Sequence, residues 1–201
     1  MEKKLKIAII IIIAICIIIP VSVVAYNNYQ YNKEQADFNN TIKKVSDMEN
    51  KTDIQAYDPF SKSSVTTAQS IAVHIEDNKT GTEEIAILQN LSNNMTNETL
   101  KNYTNLEIER LTSEHKIWVA EIEYCQAIDN YYNGNGSISQ VTKKGNEIDT
   151  YANSTVNKKI EVEQYLARNP ELKNRLTQMG IDEDFIIDQS EEYNNTLTHS
   201  K

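Results

Sequence analysis

An uninterrupted apolar stretch near the start of the chain constrains the fold more than any other feature. It runs from Ile7 to Tyr26, reads IAIIIIIAICIIIPVSVVAY and contains no charged residue. A helix of this length spans about 30 Å, the thickness of the hydrocarbon core of a bilayer. We therefore predict a transmembrane helix over residues 7–26, followed by a domain built from the rest of the chain.

The charges beside this stretch set its orientation. The chain begins MEKKLK, with three lysines against one acid, and lysine-rich flanks stay on the cytoplasmic side of a membrane. We therefore predict a short cytoplasmic N-terminus over residues 1–6. Everything after Tyr26 is then placed outside a cell membrane that the chain crosses once.

The same stretch can also be interpreted as a signal peptide. Ile7–Ile19 would form its apolar core, and Val23-Val24-Ala25 offers small residues where a signal peptidase cleaves. Pro20 could end such a core, but a proline is also tolerated inside a spanning helix. We favour a retained anchor, whereas cleavage after Ala25 would give a secreted protein. Both interpretations export the residues that follow.

The exported residues are acidic and poor in turn formers. The net charge of the chain is −9, and the charged residues before the anchor contribute +2, so the remainder carries −11. An acidic exterior domain is unsuited to binding nucleic acid or anionic lipid. Only five Gly and three Pro occur in 201 residues, which argues against a β architecture with many turns.

The clearest helical signal lies in the middle of the chain. Apolar residues recur with a 3.6-residue period from Thr82 to Asn133, with a possible break that Thr96 would cap. The NGNG sequence at 133–136 then ends the helix, as glycine does just beyond a helix C-terminus. We expect a long helix up to Asn133, with Arg110 as a polar interruption of its apolar stripe.

A second long helix follows at once and predicts an antiparallel hairpin. Ser137 with Gln140 three residues later is a capping box, and apolar residues then recur at three- and four-residue spacing to Arg168. Two long helices joined by so short a linker must pack side by side. Counting outward from about residue 135, Tyr124 should face the region of Ile148.

Weaker signals surround the hairpin. Tyr31–Ile54 has the pattern of an amphipathic helix that could continue the anchor, and residues 61–77 fit a helix or a strand. Asn78–Gly81 is predicted to form a turn, with Thr82 capping the next helix. Asn169-Pro170 should begin a short helix that Gly180 ends.

These signals together predict an all-α fold. A transmembrane helix is followed by an extracytoplasmic bundle of about four helices over residues 27–189, which contains the long hairpin. The last residues, 190–201, form a polar, frayed tail.

Asparagine in N-x-S/T sequences is more frequent than chance predicts. Ten of 23 asparagines have a Ser or Thr two positions later, against roughly three expected from the Ser and Thr content. In an exported chain this excess indicates N-glycosylation, but a genome rich in A and T would inflate the same residues. The ten candidate sites are Asn39, Asn50, Asn78, Asn90, Asn94, Asn97, Asn102, Asn135, Asn153 and Asn194.

Motifs for catalysis, metal binding and nucleotide binding are missing from the sequence. No HExxH, CxxC, GxSxG, P-loop or dinucleotide glycine pattern occurs, so we predict no catalytic, cofactor or metal residues. Cys125 is the only cysteine after the anchor, and we interpret it as a buried thiol. Trp118 is interpreted as a core residue rather than the floor of a ligand pocket.

Two further features carry open interpretations. Glu107, Glu114 and Glu121 recur every seven residues; they could coordinate a cation, although we favour a solvated helix face. Tyr131 and Tyr132 beside the NGNG linker could be an exposed contact patch or the end of the core stripe.

The predicted function is a non-enzymatic module that binds a protein or an envelope polymer outside the membrane. One alternative is an exterior ligand-sensing or solute-binding domain, which would need a partner protein because only about six residues are predicted in the cytoplasm. Another alternative is an exported enzyme without a recognisable motif.

Overall fold

The described part of the chain consists of α-helices and the short segments between them. The computed structural model describes the backbone of residues 2–50 and 67–181, and the side chains of residues 22–50 and 67–181. Within these ranges there are five helices and no strand: α1 Glu2–Glu49, α2 Thr67–Asn93, α3 Glu98–Tyr132, α4 Ile138–Arg168 and α5 Pro170–Gln178. The all-α prediction is confirmed. The last residues of the helix predicted over Tyr31–Ile54 and the predicted tail at residues 190–201 lie outside the described residues.

The chain divides into two compact units, Met1–Asn40 and Thr41–Lys201. The first unit consists of α1 up to Asn40, where Tyr26, Tyr29 and Tyr31 are exposed. Among the side chains that the structure describes, no helix combines the length and apolar character needed to cross a membrane. The predicted anchor, residues 7–26, lies largely outside those side chains.

The second unit is an antiparallel bundle in which α3 is the central helix. α2 packs on one side of α3, α4 packs on another side, and α5 folds back onto α4. The last turns of α1 contribute Ile42 and Val45, which are buried as the sequence pattern predicted.

The α3–α4 hairpin confirms the predicted pair of helices and its linker. Asn97, rather than Thr96, caps α3, because its side chain accepts a hydrogen bond from the Leu100 amide. α3 ends at Tyr132, and Gly134, two residues later, has φ +75°. The amides of Gly134 and Asn135 donate to the carbonyls of Tyr131 and Asn130. This is the Schellman pattern. The capping box at the start of α4 also forms.

The register of the hairpin agrees with the sequence prediction to within one turn. A Cβ placed on Gly145 would lie 3.6 Å from the Tyr124 ring, one turn before the predicted neighbour Ile148. Farther along, the Ser113 hydroxyl donates to the Ser154 hydroxyl across the helices at 2.9 Å.

α2 differs from its prediction. It is one helix from Thr67 to Asn93, so the turn predicted at Asn78–Gly81 and the helix start predicted at Thr82 are both wrong. Gly81 is present for a different reason: a Cβ at this position would lie 2.3 Å from Cζ3 of Trp118. Glycine therefore lets the tryptophan ring of α3 lie directly against the α2 backbone.

The apolar core is concentrated at one end of the bundle. Most fully buried apolar side chains lie near the α2–α3 turn and the α4–α5 junction: Leu88, Leu91, Met95, Leu100, Tyr103, Val162, Leu166, Leu172 and Leu176. Toward the opposite end, where α3 turns into α4, Ala120 and Cys125 are the last buried apolar residues of α3. The hairpin tip therefore projects beyond the core.

Candidate functional site

A buried arginine in the middle of α3 organises a cluster of charged side chains. The Arg110 side chain is 5 % exposed and binds three carboxylates. Nε donates to Glu107 at 2.7 Å, a terminal nitrogen donates to Glu114 at 2.8 Å, and the other terminal nitrogen donates to Glu49 at the end of α1. Burial disfavours charge on Arg110, but the three carboxylates outweigh it and hold its pKa well above the usual value.

Two further charged residues belong to this arginine cluster. Glu84 of α2 is 1 % exposed, and its Oε1 has no hydrogen-bond partner. Burial, reinforced by Glu49 and Glu114 and opposed by Arg110, raises the pKa of Glu84 to about 8. The carboxyl group is therefore mostly protonated at neutral pH. From α4, Lys159 approaches the same cluster, and burial lowers its pKa.

A second polar group lies farther along the same helices. His74 of α2 is 4 % exposed. Its Nδ1 lies 3.1 Å from Glu121 Oε2 and 3.9 Å from Asp77 Oδ2, yet Nδ1 forms no hydrogen bond. Burial lowers the pKa of His74. Burial and the neighbouring Asp77 raise the pKa of Glu121 to about 7. One proton shared between Glu121 and Nδ1 of His74 would give both groups a hydrogen-bond partner.

The polar atoms that lack partners share one helix. Within the described residues, four buried side-chain atoms have no hydrogen bond: Ser70 Oγ, His74 Nδ1, Asn78 Oδ1 and Glu84 Oε1. All four belong to α2, and buried polar atoms are normally paired because leaving one unpaired costs about 1–3 kcal/mol. We call the contact between α2 and α3 that contains them the polar seam.

The three glutamates that recur every seven residues face the polar seam. The favoured interpretation, in which they lie on a solvated helix face, is therefore wrong. Glu107 and Glu114 bind Arg110, and Glu121 contacts His74. The sequence contained a signal for this arrangement. Arg110 stands three residues after Glu107 and four before Glu114, the spacing at which helix side chains meet. No group of three or more possible metal ligands occurs among the described residues.

Trp118 and Cys125 are both buried, in agreement with their predicted core positions. Trp118 packs on Gly81 and meets the His115 ring edge-on at a centroid distance of 6.3 Å. Burial, followed by the charges of Glu121 and Asp129, raises the pKa of the Cys125 thiol to about 11. That thiol is therefore protonated at neutral pH and a weak nucleophile.

An open groove of about 440 Å³ lies on the α3–α4 side of the bundle. Its two acids, Glu109 and Glu161, both bind Lys158, at 2.8 and 2.9 Å. The Tyr165 hydroxyl donates to the Thr99 carbonyl. The remaining lining residues are Asn102, Asn105, Leu106, Gln164 and Arg168. This lining could bind a polar ligand through side-chain amides and Arg168.

The hairpin tip carries an exposed apolar group that we call the tip patch: Tyr131, Tyr132 and Ile138. Their exposed fractions are 42 %, 81 % and 61 %. The two tyrosine rings meet edge-on at 5.6 Å. Of the two interpretations of this tyrosine pair, exposure favours a contact patch over the end of the core stripe.

The structure places nine of the ten predicted glycosylation sites, and Asn194 lies outside the described residues. Six are exposed: Asn50, Asn90, Asn94, Asn102, Asn135 and Asn153. Asn39, Asn78 and Asn97 are half-buried. Asn135 lies in a loop as predicted, whereas Asn78 lies inside α2. The sites stay predictions, and Asn78 becomes a less accessible one.

Comparison with family models, curated proteins and solved structures gives no match for this chain.

Proposed function

We propose that this chain is a non-enzymatic module, displayed outside a cell membrane on an N-terminal anchor, that binds a protein partner through its tip patch. The observation that carries the proposal is the contrast between the two ends of the bundle. One end holds the apolar core, and the other exposes Tyr131, Tyr132 and Ile138.

The chemistry of the tip patch suits a protein contact. Tyrosine supplies a large apolar ring with a polar end and loses little conformational entropy on binding, which is why it is enriched in interfaces. The linker beside it is held by the hydrogen bonds that end α3 and the capping box that begins α4. The patch is therefore presented in a defined conformation, which lowers the entropic cost of binding.

The buried ionisable groups support a structural role for the bundle interior. Arg110 joins α3 to the end of α1, and Glu121 contacts His74 of α2. These contacts hold helices together and leave the tip patch as the surface best suited to a partner.

Site-specific photocrosslinking tests the proposal. A benzophenone amino acid replaces Tyr132 in the full-length chain, expressed in the cells that make it, and Lys173 on α5 serves as an exposed control. We expect one discrete adduct from position 132 and none from 173. An absent adduct at position 132, or identical adducts at both, would contradict the tip patch as the contact.

Membrane topology is tested separately. A protease added to intact cells should digest the region after residue 26. Digestion that occurs only after lysis would contradict exterior display.

The groove between α3 and α4 favours a second candidate, an exterior ligand-binding domain. Its volume of about 440 Å³ suits a small polar molecule. Arg168→Ala should then abolish retention of a small molecule by the purified chain and leave the crosslink from position 132 unchanged.

A further inference from the structure

We propose that the polar seam is a proton-controlled joint: α2 packs on α3 while Glu84 and Glu121 carry protons, and it separates from the α3–α4 hairpin when they lose them. The joint would make the exposure of the α3 face depend on pH. It goes beyond the proposed binding role of the tip patch, on which it does not rest.

The geometry around Glu84 supplies the first half of the joint. Charged groups surround Glu84: Glu49 comes from α1, and Arg110 and Glu114 come from α3, with Glu83 nearby on α2 itself and Lys159 at the edge of the cluster on α4. Arg110 already binds Glu49, Glu107 and Glu114. A negative Glu84 would therefore enter a site where three carboxylates already share one guanidinium.

The geometry around Glu121 supplies the second half. Asp77 and His74 face it from α2, and Cys125 lies one turn on along α3. With Glu121 protonated, its hydroxyl can donate to the partnerless Nδ1 of His74. With Glu121 ionised and His74 neutral, the carboxylates of Asp77 and Glu121 carry like charges across the seam.

The direction of the pH effect follows from the two carboxyl groups. Their pKa values in the packed state are about 8 and about 7, against 4.5 for an ordinary glutamate. The packed state therefore binds more protons than the separated state between pH 4.5 and 8. Packing is favoured at the acidic end of this window and weakens as pH rises through the packed-state values.

His74 acts in the opposite direction but at lower pH. Its pKa in the packed state is below 6.5, so protonation would oppose packing only as pH falls below that value. A window from pH 6.5 to 8.5 therefore isolates the two carboxyl groups.

Hydrogen exchange of the full-length chain in detergent micelles tests the joint. Protection factors, which are normalised for the intrinsic exchange rate, should fall in α2 between pH 6.5 and 8.5, on the order of tenfold for Glu84 alone. Protection in α4 should change little, because its contacts with α3 bury no unpaired acid among the described residues. Flat α2 protection, or an equal loss in α4, would overturn the proposal.

Glutamine variants complete the test, because glutamine resembles a protonated glutamate in shape and charge. The double variant Glu84→Gln/Glu121→Gln should fold, keep α2 protected at pH 8.5 and lose the pH dependence. The matched control is Glu161→Gln, an exposed acid paired with Lys158, which should retain the wild-type slope. A double variant that keeps that slope, or that exposes α2 at pH 8.5, would overturn the proposal.

Discussion

The two helices that flank α3 are held by different chemistry. On the α4 side, the polar contacts are paired. Two ion-pair groups lie toward the surface, where Lys158 joins Glu109 to Glu161 and Lys144 joins Glu123 to Glu147, and the buried Ser113 hydroxyl donates to Ser154. On the α2 side, polar groups are buried and four of their atoms lack partners. The α3–α4 contact is therefore closed by paired polar groups, whereas the α2–α3 contact contains buried polar atoms without partners. We expect the strength of the α2–α3 contact to depend on the protonation of those groups.

Removing the cation of the buried arginine cluster, or the cation of the Lys158 ion pairs on the α4 side, should give the largest contrast. Arg110→Met leaves three carboxylates without their partner and should cost about 3–5 kcal/mol of unfolding free energy. Lys158→Met removes a cation that also binds two acids, but near the surface, and should cost less than about 1 kcal/mol. Urea unfolding of the full-length chain in detergent measures both. Similar losses would erase the difference between the two sides.

Two helical glycines allow a second comparison. Gly81→Ala should destabilise the fold by about 1–3 kcal/mol, because the new Cβ would lie 2.3 Å from the Trp118 ring and force it to move. Gly145→Ala meets the Tyr124 ring at an ordinary 3.6 Å and should stabilise α4 by up to about 1 kcal/mol. Thermal unfolding should show shifts of opposite sign. A gain from Gly81→Ala would mean that α2 does not approach Trp118 as closely as described.

Two serines should give the smallest effects, again with opposite signs. Ser70→Ala removes a buried hydroxyl that has no partner, and it should be neutral or stabilising by up to about 1 kcal/mol. Ser113→Ala removes a hydroxyl that donates to Ser154 and should cost about 0.5–1.5 kcal/mol. The midpoint of urea unfolding distinguishes them. A loss at Ser70 equal to that at Ser113 would indicate that the seam satisfies Ser70 after all.

The same difference explains which parts of the fold could be predicted from the sequence. The hairpin was predictable because its signals are local: the NGNG linker, the capping box and the helix that begins at Pro170 each depend on a few adjacent residues. α2 was not, because Ser70, His74 and Glu84 replace the apolar stripe that identifies a helix. The sequence around Gly81 predicts a turn, because the Trp118 ring that requires a glycine at this position lies 37 positions away in the chain.

The candidate site was only partly predictable for a related reason. A carboxylate every seven residues predicts a helix face but does not say which way the face points. Such a face is usually solvated. Here Arg110 lies in the same row, and its positive charge lets Glu107 and Glu114 turn inward. The exposure of the tip patch depends on where α2 begins, which no local pattern specifies.

Packing between consecutive helices has a consequence for how the chain acquires its structure. The most extensive helix contacts, α2 with α3 and α3 with α4, join helices that are consecutive along the chain, and proteins rich in such short-range contacts fold quickly. During synthesis the N-terminus of the chain emerges first. Each new helix can therefore pack on the helix that was made before it. The bond from Arg110 to Glu49 is different, because it closes a loop of 61 residues. It should form late, and Arg110→Met should accelerate unfolding far more than it slows folding.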